Sequence, residues 1–111
     1  MRYNGGVMAT IEPADWEQYL DAVRQLPTFY ESAKAHIVTK AQHEDNMELS
    51  DSERRAHATR TKAAVMLFQD YGRTILRIRA KYNTDNHFPL LNLEEGAKQY
   101  RDYCKDLGIE P

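Results

Sequence analysis

Apolar residues along this chain recur at spacings of three and four, and no stretch alternates apolar with polar for more than a few residues. That spacing is the α-helical period, in which residues three and four apart share a face. Four helices follow. The first is predicted over residues 12–26, with Trp16, Leu20, Val23 and Leu26 on one face, Pro13 in the first turn, and Asp15 and Glu17 near the positive end of the dipole. Pro27 should stop it, because proline lacks the N–H that the next turn needs. Thr28 then caps a second helix over 28–42, with Tyr30, Ala33, Ile37 and Ala41 inward. The acidic stretch 44–49 reads as a connection.

Ser50 and Glu53 form a capping box, in which the Ser hydroxyl accepts from a free helical N–H and the Glu reaches back. No proline follows until Pro89, so a long third helix is predicted over about 51–82, roughly 48 Å at 1.5 Å per residue. Phe68, Tyr71, Ile75, Ile78 and Tyr82 make a heptad-like seam along it. Ala58, Val65, Gly72 and Leu76 line an adjacent stripe. Gly72 has two readings: it admits a close neighbour, or it splits the helix. Asn83-Thr84-Asp85-Asn86 reads as a break and Phe88-Pro89-Leu90-Leu91 as a lead into a fourth helix. Asn92 caps that helix, with Glu95 in its first turn. Leu93, Ala97, Tyr100, Cys104 and Leu107 share its inner face, and Gly108 stands where a helix end favours a left-handed residue.

The expected fold is therefore all-α: a single-domain bundle of about four helices around one long central helix, sequential neighbours antiparallel. Residues 11–111 would form the domain and residues 1–10 a flexible tail. Within that tail, Gly5-Gly6-Val7-Met8 can be encoded by a purine-rich stretch just ahead of an ATG. This points to a bacterial or phage gene that starts at Met8 rather than Met1.

Composition adds limits. At 111 residues the chain suits one domain. Leu, Ile, Val and Phe together number only 21, close to the level of disordered chains, but the net charge is −2 and seven Tyr and one Trp add ring surface for a core. No apolar run nears the ~18 residues of a membrane span. The lone Cys104 cannot form an internal disulfide, which fits a reducing cytoplasmic setting.

Charge is the most informative feature. Residues 1–53 carry net −6, residues 54–82 net +7 and residues 83–111 net −3. On a helical wheel Arg55, Lys62, Arg73, Arg77 and Lys81 gather opposite the seam, and such a stripe could track phosphates. Ion pairs from the acidic first two helices are the expected alternative use. Glu12, Asp15, Glu17, Asp21, Glu44, Asp45 and Glu48 supply a candidate acidic docking face. His36 and His43, seven apart, lack a recognisable third metal ligand, and His57 stands one turn from Glu53 as a surface pair. His87 is expected to bond backbone. No phosphate loop, nucleophile elbow or Cys–His arrangement is visible. The expectation is a non-enzymatic protein without cofactor or metal, acting by protein–protein binding as an adaptor or inhibitor of a larger machine. The alternative is nucleic-acid binding by the basic face. Because partners of 15–20 residues would leave a long central helix partly bare, a homodimer is expected through Tyr71, Ile75, Ile78 and Tyr82.

Overall fold

The protein is described by a computed structural model in which residues 11–82 and 93–111 are placed. Among the described residues the fold is all-α and comprises three helices: α1 (Pro13–Glu44), α2 (Asp51–Tyr82) and α3 (Leu93–Leu107). The expected tail over 1–10, the turn at Asn83–Asn86, the lead-in at Phe88–Leu91, His87 and the cap at Asn92 all lie outside those residues.

The first two predicted helices are one. α1 runs through Pro27 for 32 residues. Proline removes the donor for the Val23 carbonyl, a loss of about 3 kcal/mol in an isolated helix. Here Pro27 lies on the exposed face, where water can serve the freed group, while Leu26, Phe29 and Tyr30 on either side of it pack into the core. Tertiary burial overrides the local stop. The inner face is also shifted from the predicted one. Tyr19, Ala22, Leu26 and Ala33 are buried, whereas Leu20 and Ala41 are exposed and Trp16, Val23 and Ile37 are half-buried.

α2 begins at the capping box: the Ser50 N–H donates to Glu53 Oε1 at 2.9 Å and the Glu53 N–H to Ser50 Oγ at 3.1 Å. It continues without interruption through Gly72 to Tyr82. α1 and α2 form an antiparallel hairpin, joined by residues 45–50. In that connection Asn46 accepts the Glu48 N–H at its side chain, and its carbonyl accepts the Leu49 N–H and an Arg54 guanidinium hydrogen.

Equal length changes the expected use of the seam. Because α1 matches α2 residue for residue in extent, Phe68, Ile75, Ile78 and Tyr82 are buried within the chain and Tyr71 packs on Phe29 at 4.8 Å between ring centroids. The face assigned to a second copy is filled from within. The premise of short partner helices does not hold.

α3 lies parallel to α1 in the groove of the hairpin, over only its open half. Gly72 explains how: a Cβ there would stand 2.0 Å from Tyr100 Cε1, so the absence of a side chain lets the Tyr100 ring sit against the α2 backbone. Gly96 does the same for the Tyr19 hydroxyl, which it contacts through its N–H at 3.3 Å. Tyr100 meets Phe68 at 5.3 Å and Tyr103 stacks on Tyr30 at 4.1 Å, so rings from all three helices join at one level. Cys104 is buried in this core, and burial raises its thiol pKa. Gly108, with φ 71°, ends the helix as its sequence position predicts.

Candidate functional site

The hydrogen bonds, ion pairs and ring contacts of α3 and the residues after it reach Lys34 on α1 and Phe68 on α2. Beyond that level residues 35–62 form an arm made of two helices and their turn. Its seam is built from small and polar residues. Thr61 is the one buried residue of the arm. Its hydroxyl lies 2.9 Å from the His57 carbonyl and 3.1 Å from the His36 carbonyl, tying the two helices together. His36 is itself held by its Nδ1, 2.8 Å from the Ser32 carbonyl. One level nearer the turn, the rings of His43 and His57 meet across the seam with centroids 3.9 Å apart.

This meeting alters His57. Burial is the main cause that pushes the His57 pKa down from its ordinary value of 6.5, and the neighbouring His43 and Arg60 add to it, while Glu53 opposes. The expected pairing of His57 with Glu53 survives only as that weak attraction. Around the two rings lies a cavity of about 310 Å³, lined by Lys40, His43, Glu44, Arg54, Arg55, His57 and Ala58. A second, of about 240 Å³, is lined by Ala35, His36, Thr39, His57 and Arg60. Among the described residues no group of three or more His, Cys, Asp or Glu is placed to hold a metal ion.

The basic stripe is divided by the fold. Lys81 reaches Asp15 at 2.8 Å and Glu12 at 3.1 Å, and Arg77 donates to Gln18 at 2.8 Å and stands 3.9 Å from Asp15. That end is paired with α1. Asp15 is buried there, also accepting from the Tyr82 hydroxyl at 2.7 Å, and Lys81 and Tyr82 together hold its carboxyl below the usual range. Arg73 is exposed beside the Tyr100 and Cys104 side chains. Lys62 is exposed on the arm, and Arg55 lines the larger cavity.

The acidic candidates divide as well. Glu12, Asp15, Glu17 and Asp21 belong to the open end, where Asp21 pairs with Arg24. Glu44, Asp45 and Glu48 surround the turn at the other end, roughly 45 Å away along α1. They do not form one face. The turn also carries Met47, 91% exposed, and the outer side of the arm carries Val38, 48% exposed. Sequence reasoning missed the histidine pair, whose signal was the unbroken heptad spacing of Asp15, Tyr19, Ala22, Leu26, Phe29 and Ala33 across Pro27.

No protein-family model, no curated protein and no solved structure matches this chain.

Proposed function

We propose that the protein is a small non-enzymatic regulatory protein that binds another protein through the arm of its hairpin. One observation carries this reading: an arm that α3 leaves uncovered presents exposed Val38 and Met47, with exposed Glu44, Asp45 and Glu48 within three residues of Met47 along the chain. An apolar centre with a charged rim is the usual composition of a docking surface. Its partner would be a component of a larger bacterial or phage machine in the cytoplasm, held as by an adaptor or inhibitor. A second copy of the chain, were it the partner, would have to use the arm, since the seam is occupied.

Affinity capture with mass spectrometry, run on wild type beside the Val38→Glu, Met47→Glu double variant, tests this. A partner retained by wild type and lost by the variant supports the arm. A partner held equally by both places binding elsewhere. The nucleic-acid reading keeps some support from exposed Lys62 and Arg73. Salt-sensitive retention on DNA, abolished by Lys62→Glu with Arg73→Glu, would make it the better one.

A further inference from the structure

The larger cavity of the arm is lined by more positive than negative side chains. Three permanent cations line it, Lys40, Arg54 and Arg55, against a single carboxylate, Glu44, which Lys40 already pairs. Two of the residues lining it each keep one buried nitrogen, His43 Nδ1 and Arg54 Nε, without a hydrogen-bond partner. The remaining guanidinium nitrogens of Arg54 are engaged, one by Asp51 at 3.3 Å and the other by the Asn46 carbonyl at 2.7 Å. A guanidinium Nε–H can only donate, and leaving such a donor buried and unpaired is costly.

We infer that this cavity binds a small molecule through a phosphoryl group. A phosphoryl group suits a lining that stays net positive after Glu44 and Asp51 are counted, and its oxygens diverge enough to reach donors from both helices at once: Lys40 and His43 on α1, Arg54 and Arg55 on α2. About 310 Å³ exceeds what a phosphoryl group alone fills, so room remains for an attached sugar or similar polar body. Charges from every neighbouring element bear on the histidine pair: Lys40 and Glu44 of α1, and Glu53, Arg54, Arg55 and Arg60 of α2. In the empty site burial, with His43 and Arg60, holds the His57 pKa below its ordinary value. A bound dianion reverses the balance, so ligand and protons bind together, each strengthening the other.

The test uses the full chain with sulfate, whose charge stays constant between about pH 5.5 and pH 8, the range in which histidines titrate. Imidazole resonances should shift saturably for His43 and His57, with chloride at matched ionic strength producing no such shift. Sulfate should bind more tightly at the acid end, by about tenfold for each unit that it raises the His57 pKa. Inorganic phosphate, dianionic at about pH 8, should bind there about as well as sulfate. Arg55→Gln, at an exposed position outside the seam, should weaken both anions about fivefold with an unchanged melting temperature. Equal responses to chloride, or an affinity unaffected by Arg55→Gln, would overturn the assignment.

Discussion

The two halves of the hairpin are built from the same two helices and obey the same heptad spacing, yet they are different materials. The open half is a three-helix core of rings and branched chains, with Leu26, Phe68, Ile75, Ile78 and Tyr100 fully enclosed. The arm closes over His36, His43, His57, Ala58 and Thr61. Apolar burial stabilises by about 25 cal/mol per Å², so the first half carries the stability of the molecule. The second half keeps polar groups at its seam, with a hydroxyl bond to two carbonyls and two facing imidazoles where the first half has rings. Regions that open locally and bind ligands are drawn from the less stable parts of a fold. The asymmetry thus places most of the stabilising burial at one end of the hairpin.

The largest effect expected is at the ring junction. Phe68→Ala should cost about 3–5 kcal/mol in denaturant unfolding, because the site is enclosed by all three helices and cannot collapse. A loss below about 1 kcal/mol would mean that the open half is no better packed than the arm. Gly72→Ala should come next. In a helix that leaves room for a methyl group this change stabilises by about 1 kcal/mol. Here it forces Tyr100 away and should destabilise by about 1–3 kcal/mol, with faster amide exchange along α3. Stabilisation would break the claim that α3 docks through this contact.

A smaller effect of opposite sign is expected in the arm. His43→Leu with His57→Leu replaces two facing polar rings by apolar groups and should be neutral or stabilise by up to about 1 kcal/mol. Marked destabilisation would show that the rings hold the arm shut.

The subtlest difference is in pH. His57 has a folded pKa below its unfolded value, so the folded arm takes up a proton less readily than the unfolded chain. Its contribution is present above pH 6.5 and is lost as pH falls from there through the folded pKa. Asp15, Glu94 and Asp106 also have lowered values, through Lys81, Arg101 and Tyr30 respectively, and their contributions fade only below the ordinary carboxylate range. Hydrogen exchange at about pH 5 should therefore find residues 36–61 opened relative to pH 7 and the open half unchanged. Simultaneous loosening of both would remove the distinction.

Much of the fold was legible because its signals are local. A Ser–Glu capping box marks the start of α2, spacings of three and four mark its seam, and Gly108 marks the end of α3. What could not be read depends on partners far along the chain. Whether Gly72 breaks a helix or receives a ring is decided by Tyr100, and whether Pro27 ends α1 is decided by the 32-residue α2 opposite. Trp16 and Leu20 outweighed Tyr19 and Ala22 when hydrophobicity alone chose the inner face. Asp15 looked like a surface charge until Tyr82 and Lys81 were brought to it. The candidate site suffered most, since His43 and His57 meet only once Pro27 is known to be passed.

Pro27 also carries a consequence for the route by which the chain folds. A single hairpin can close from its turn outward, and its bridges span ever longer loops: 25 residues between His36 and Thr61, 67 between Asp15 and Tyr82. Loop-closure entropy makes the longer one costlier by about 0.9 kcal/mol if formed first, so zipping from the turn is the cheaper order. Helices broken at Pro27 would have removed that route, because the open half could then dock independently of the arm. In the continuous hairpin the region with the more polar seam is the one whose closure spans the shortest loop. An uninterrupted α1 thus ties the order of closure to the order of the chain, with the polar seam near the turn closing before the ring-filled core.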